Sequence, residues 1–363
     1  MSTYKELRGL KVKYVPADTT SPSTAAAGDV WYNSTTFQLK GFVGRAAWSA
    51  GSSMTAAKTY IGSTGTQTAA LGFGGYLGPF TNVTEEYNGS GWALGGNQNT
   101  AKQLQAGFGI QTAAVSAGGD ISPGAIAEVE EYDGSSWTEV TNIPAAAAGI
   151  KGAGTLTAGL VAGGYPYPSK TESYEYDGTN WSAEADLNTG KAHGGMAGTQ
   201  ASAIYFGGQT GPADPTFVNG SESYDGSSWT AEPTMNTTRS VLAGSGTGTS
   251  ALGYGGDTIP GANSNSTETW DGSSWAAAPN LGTARQRLSG AGDSANSGLA
   301  FGGNSGSATS ITEEYNNSFQ VVTAAAWASG GNMNTARYGG GGAGTSDSSA
   351  LFTSGYSTTA SPG

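Results

Sequence analysis

The sequence predicts an all-β protein: a seven-bladed β-propeller, its ring closed by N- and C-terminal strands in one shared blade, with an extended N-terminal arm. Three observations lead there. Short apolar runs ending in glycine (ALGFGG, AAVSAGG, AGLVAGG, SAIYFGG, ALGYGG, GLAFGG) put glycine pairs at Gly75, Gly119, Gly164, Gly208, Gly256 and Gly303, spaced by 44, 45, 44, 48 and 47 residues. A second phrase follows most of them, an aromatic, an Asn-Gly or Asp-Gly and a Trp, as in EEYDGSSWTEV at 130–140. The third observation is that the repeat is broken in complementary ways at the two ends of the chain.

Taken in order, residues 1–28 stand apart. Lys5, Arg8, Lys11 and Lys13 are four of the fifteen basic residues, and Pro16 and Pro22 exclude regular helix from the stretch after them. The segment reads either as a frayed terminus with a solvated basic face or as an arm that orders on docking to a larger assembly. The propeller is expected over 29–363. It begins in mid-unit, because VWYNSTTFQLKGF places Tyr32 where Tyr87 and Tyr315 stand, with no apolar-Gly-Gly run before it. At the other end ALFTSGY, at 350–356, has the character of that run, and nothing like EEYDG follows it. A closing blade built from about 29–50 and 338–358 is therefore expected. Counting it gives seven runs and seven aromatic positions, Tyr32, Tyr87, Tyr132, Tyr176, Tyr224, Trp270 and Tyr315.

Within a unit, four short strands and their turns fit the period. In the first complete unit the strands are expected at 59–65 (glycine-rich, lining the axis), 69–75, 83–88 and around Trp92. The Asn-Gly or Asp-Gly at Asn88, Asp133, Asp177, Asp225 and Asp271 signals a tight turn between the last two. The connections between the second and third strands vary most, the longest at 209–221 and 257–266, and such loops on one rim are where recognition belongs.

Two residue series recur. Trp92, Trp137, Trp181, Trp229 and Trp275 each follow the aromatic position by five residues, and such regularity favours packing of blade on blade over a sugar-stacking surface. Lys58, Lys102, Lys151, Lys191, Arg239, Arg285 and Arg337 occur once per unit, with Glu86, Glu131, Glu175, Glu222, Glu268 and Glu314 recurring near the third strand. They read either as hydrogen-bonded and paired within and between blades or as a rim meeting an anionic partner.

Composition narrows the function. Glycine is 61 of 363 residues without a collagen period, and there is no cysteine for disulfides or thiolate metal sites. His193 is the single histidine, with no Ser/Asp constellation near it, and no D-x-D-x-D series marks a calcium loop. No cofactor and no catalytic residue are expected. A net charge of -12 disfavours nucleic acid, and no stretch approaches the roughly 20 apolar residues that cross a bilayer. The first residues do not read as a secretory signal.

The order of an apolar strand ending in Gly-Gly, then Tyr, Trp and a basic residue resembles the kelch-repeat β-propellers over about residues 29–356, with a shorter Tyr-to-Trp gap here. Propellers of that kind are mostly binding scaffolds. The wording AAGDVWYNSTTFQLKGF, at 26–42, and the repeated YDGSSW…NTAR are similar to structural proteins of marine tailed bacteriophages, especially those infecting cyanobacteria. What that resemblance implies is a non-enzymatic virion protein on the particle exterior, a tail, neck or head appendage or fibre module. The N-terminal arm would hold other virion proteins, and host-surface polysaccharide is a second partner. A homo-oligomer is compatible with it. The runner-up is a bacterial surface or secreted propeller that binds, or less plausibly hydrolyses, carbohydrate. A third reading is an architectural cement protein.

Overall fold

The repeat unit folds as four antiparallel strands, and the second of them explains the apolar-Gly-Gly phrase. In a computed structural model that describes residues 12–15, 30–33, 38–323 (without 213–215 and 259–260), 337–338, 341–343, 351–353 and 356–357, with side chains over 46–317, two compact units separate. One comprises Met1–Val43 with Gln320–Gly363, the other Gly44–Phe319.

The second unit is the propeller. Blade 1 runs through Gly62–Gly65, Ala70–Phe73, Thr84–Tyr87 and Trp92–Leu94. Blade 2 has Ala106–Ile110, Ala113–Ala117, Val129–Tyr132 and Trp137–Val140. Blade 3 has Lys151–Thr155, Ala158–Ala162, Ser173–Tyr176 and Trp181–Ala183. Blade 4 has Gly195–Thr199, Ser202–Phe206, Ser221–Tyr224 and Trp229–Glu232. Blade 5 has Ala243–Thr247, Ser250–Tyr254, Thr267–Trp270 and Trp275–Ala278. Blade 6 has Ser289–Ser294, Ser297–Phe301, residues 312–319 of Thr312–Thr323, and residues 44–51 of Gln38–Gly51 as its outermost strand.

The ring thus has six blades, and the expected seven is corrected. One closing sheet does join strands from the N- and C-terminal sides, but the blade is made from 44–51 and 289–319, not from the expected 29–50 and 338–358. The miscount has a definite origin. The unit of Tyr315 lacks a Trp five residues on, since that position is Gln320, and Trp48 supplies the missing ring from the N-terminal side, 5.2 Å from Tyr315 between centroids. The half-unit around Tyr32 is no further blade: Val30–Asn33 belongs to the first unit, pairing in parallel with Val12–Val15 and antiparallel with the start of Gln38–Gly51. In the same unit Arg337–Tyr338 pairs with Tyr356–Ser357, and Gly341–Ala343 with Leu351–Thr353.

The core consists of six seams, one between each pair of neighbouring blades. Phe73 and Leu71 of blade 1 pack with Tyr132 and Trp137 of blade 2, and the pattern continues to Leu299 and Phe301 of blade 6 against Ile61 and Tyr87 of blade 1. Second strands are covered on both faces, so Ala70–Phe73 is buried at every position and shows no polar alternation. First strands line the axis and lie so close that a Cβ at Gly107 would sit 2.3 Å from the Ser63 carbonyl oxygen, which is why they are glycine-rich. The Asp-Gly turn between third and fourth strands works through its side chain. Asp133 Oδ1 accepts the N–H groups of Ser135 and Ser136 at 2.8 Å each, while Gly134 takes φ 92°.

Candidate functional site: the axial mouth and its loop rim

The recurring residues are the joints between blades. Tyr132, Tyr176 and Tyr224 donate their hydroxyls to Glu86, Glu131 and Glu175 of the preceding blade at 2.6, 2.7 and 3.0 Å, and Tyr87 donates to Glu314. Burial, then the carboxylate partner, pushes the Tyr132 phenol up to about 12. Trp137, Trp229, Trp275 and Trp48 donate their indole N–H to Thr84, Ser173, Ser221 and Thr267, at the start of the preceding blade's third strand. Blade 2 has Val129 at that place, and Trp181 donates to the Thr141 carbonyl instead. Trp270 takes the tyrosine position in blade 5 and donates to the Gly248 carbonyl; in blade 4 the glutamate position that would face it is Ser223. Aromatic and acceptor have changed together.

The repeat cations are buried and paired. Lys58, Lys102, Lys191 and Arg239 lie 2.9, 3.2, 2.8 and 2.9 Å from Glu85, Glu130, Glu222 and Glu268, and Arg285 pairs with Glu313. Each of these Lys and Arg side chains is at most 2 % exposed, so the cations form no outward ring. The carboxylates are one residue before the series expected in blades 1, 2 and 6, and their second oxygen accepts a backbone N–H of the preceding loop, Asn99 to Glu130 at 2.6 Å for example. Burial lowers the Lys58 and Lys191 ammonium groups, against the pull of Glu85 and Glu222. Lys151 is not of this series. Its expected place belongs to Ala147, and the facing glutamate is Tyr174, so blade 3 has lost both partners together. Among the remaining expected positions, Lys5, Arg8 and Lys11 lie outside the described residues, and Lys13, Tyr32 and Arg337 are placed on strands without described side chains.

A different ring encircles one end of the axis. Two residues after each repeat-cation position stand Tyr60, Leu104, Gly149, His193, Val241 and Arg287, all in the left-handed region, with φ between 46° and 63°. Their backbones hand hydrogen bonds around the circle. Leu104 N–H donates to Tyr60 C=O at 3.1 Å, Gly149 to Leu104 at 2.9, His193 to Gly149 at 2.9, Arg287 to Val241 at 2.9 and Tyr60 to Arg287 at 3.0. Positive φ is costly for Val and the other non-glycine residues, and it persists because these bonds impose it. At Gly149 the absence of a side chain is required twice, since a Cβ there would lie 2.8 Å from His193 Cε1.

Outside this ring lies a second, Tyr76, Asp120, Tyr165, Gln209, Asp257 and Asn304, the residues after each glycine pair, bridged to the strand entering the same blade. From it spring the loops between second and third strands, including those at 209–221 and 257–266, whose residues 213–215 and 259–260 lie outside the described set. Tyr165 stacks on Tyr167 at 5.2 Å and 10°, and Gln209 donates to the Tyr167 hydroxyl. Inside the mouth is a cavity of about 30 Å³ lined by Tyr60, Lys151, His193 and Arg287, with a cavity of about 70 Å³ below it sharing Lys151. Burial, then Lys151 and Arg287, lowers the His193 imidazole to about 3, and burial lowers the Lys151 ammonium to about 8. His193 therefore stays neutral at physiological pH.

Among the described residues no three His, Cys, Asp or Glu side chains come together to hold a metal ion, and no helix is long and apolar enough to cross a membrane. No family model matches the chain, and no curated protein is similar to it at a significant level. The loop rim is legible in the sequence as the most variable connections, and the mouth is not legible in that way. The signal was present two residues after each repeat cation, where the aligned copies read Tyr, Leu, Gly, His, Val and Arg between positions that repeat.

Proposed function

We propose that the propeller is a non-enzymatic binding module and that the chain serves as a virion structural protein, a tail, neck or head appendage. The observation that carries the binding role is the division of labour within each unit. Tyr, Trp, Glu and cation are spent on joints between blades, while residues that differ from copy to copy gather on one rim around the axial mouth. The virion assignment is supported by the phage-like wording at 26–42 and of the repeat. In this reading Lys5, Arg8, Lys11 and Lys13 dock the chain to other virion proteins, and the rim faces outward. Gold-labelled antibodies against the full chain should decorate purified particles; particles that carry no label and no such chain by mass spectrometry would remove the assignment while leaving the binding role open.

A second reading, a carbohydrate-binding surface propeller, is favoured by the aromatics at the rim. Tyr76 is 41 % exposed, and the stacked Tyr165 and Tyr167 are partly exposed beside the mouth. Glycan-array binding that is lost in Tyr165→Ala but kept in Tyr76→Ala would place sugar at the mouth.

A further inference from the structure

Eight Lys and Arg side chains fall within the described residues: Lys58, Lys102, Lys151, Lys170, Lys191, Arg239, Arg285 and Arg287. Six of them have a carboxylate within ion-pair distance. The two that do not, Lys151 and Arg287, come from blades 3 and 6 and line the same cavity at the axial mouth. His193 lines it as well, 8 % exposed, and neither imidazole nitrogen has a hydrogen-bond partner among the described residues. Arg287 Nε is buried without an acceptor, and the guanidinium lies 4.9 Å over the Tyr60 ring. No Asp or Glu lines the cavity. Asp120 and Asp257 stand in the outer ring instead: Asp120 accepts from Gln103 Nε2 at 3.3 Å and Asp257 Oδ2 from the Gly261 N–H at 2.9 Å, while Asp257 Oδ1 is buried without a partner and lies within ion-pair distance of neither cation. In a chain of net charge -12, unpaired cations converging on an enclosed space call for a counter-charge from outside.

From this geometry we infer that the axial mouth is an anion site: Lys151 and Arg287 receive an oxyanion, a carboxylate, sulfate or phosphate group, with His193 as a third donor. The cavity of about 30 Å³ admits the charged group and not a whole sugar or nucleotide, so the rest of a larger ligand lies on the Tyr165 and Tyr167 side of the mouth. Arg287 suits this role because its planar fork can hold two oxygens at once, and Tyr60 behind it fixes the plane. Once the anion is bound, its charge favours protonated His193, so binding should tighten as pH falls from 7 to 5. Each bound anion then takes up part of a proton. The inference does not depend on whether the chain belongs to a particle.

His193 is the single histidine, so its imidazole resonance reports the site without assignment. Sulfate, phosphate, glucuronate and the neutral methyl glucoside are each titrated into the full chain at constant ionic strength. At least one of the three anions should shift the His193 resonance saturably and raise the melting temperature, and methyl glucoside should do neither. Tighter binding of glucuronate than of the inorganic anions would point to an acidic saccharide as the source; the reverse would point to a free oxyanion or phosphate ester. Arg287→Gln and Lys151→Met should each weaken binding about tenfold or more, with Arg287→Lys intermediate. Absence of a saturable shift with all three anions in the wild-type chain overturns the site. So does binding of unchanged affinity in both charge-removing variants. The wild-type titrations stand even if a variant fails to fold.

Discussion

Trp92 of the first blade donates its indole N–H to Thr312 Oγ1 of the last at 2.9 Å. The same bond links Trp137 to Thr84 and Trp275 to Ser221 between consecutive blades, so the seam that closes the ring is built like the seams within it. Closure should therefore be sensitive to single atoms. Thr312→Val, which leaves the indole N–H unpaired, is expected to cost about 1 kcal/mol. Trp48→Ala, which empties the corresponding place in the strand supplied from the N-terminal side, should cost about 3 kcal/mol. Urea unfolding measures both, and a Trp48→Ala chain as stable as wild type would mean that residues 44–51 do not complete the sixth blade.

The buried pairs make a sharper prediction. Glu85→Gln leaves Lys58 charged and unpaired at full burial, an expected loss of about 3–5 kcal/mol. Replacing both, Lys58→Met with Glu85→Leu, should recover most of it, because blade 3 already lives without the pair through Ala147 and Tyr174. If the double variant is no better than the single, the pair does more than satisfy its own charges.

Ser223 and Trp270 test whether the exceptions are coupled. Trp270→Tyr alone puts a phenol where no carboxylate waits, whereas Trp270→Tyr with Ser223→Glu rebuilds the arrangement of Tyr132 and Glu86. A double-mutant cycle should show a favourable coupling of about 1 kcal/mol. Strict additivity would show that the two changes are unrelated.

The acid side of the stability curve should carry the signature of His193. Its folded pKa is depressed to about 3, chiefly by burial, while the unfolded imidazole titrates near 6.5. Below about pH 6.5 the unfolded chain takes up a proton that the folded chain refuses, so stability falls as pH drops from there toward 3, by up to about 1.4 kcal/mol per pH unit. His193→Gln should remove about one proton from that slope between pH 6 and 4. Lys151 acts in the opposite range: its folded pKa of about 8 lies below the unfolded value, so its burial penalty is full at neutral pH, fades as pH rises from about 8 and is gone above about 10. Lys151→Met should therefore be more stable than wild type at pH 7, and the difference should shrink on the alkaline side.

Much of the architecture is carried by local sequence. Gly-Gly pairs at Gly75 or Gly208 end strands that only a two-sided apolar environment can accommodate, and the Asp-Gly turn at Asp133 forms from its own side chain and the next few backbone groups. These features depend on neighbours a few residues away, so one repeat shows what all do. The identity of the propeller, its four-stranded unit and its loop rim followed from them. The number of blades did not. It depends on Trp48 meeting Tyr315 and on Trp92 meeting Thr312, contacts across more than two hundred residues, and the half-unit around Tyr32 looks locally like one blade more.

The mouth was hidden for a related reason. Lys151 lies close enough to the repeat-cation position to pass for a member of that series, and only the register of its strand turns it toward the axis instead of toward a glutamate. Tyr60, His193 and Arg287 are scattered through the chain and become neighbours because every unit delivers the same backbone position to the same circle. The sequence by itself determined the strands, the turns and the joint residues, since these repeat and act locally. Ring closure alone decided how many blades there are and which unpaired side chains face one another, because both depend on where the two ends of the array meet.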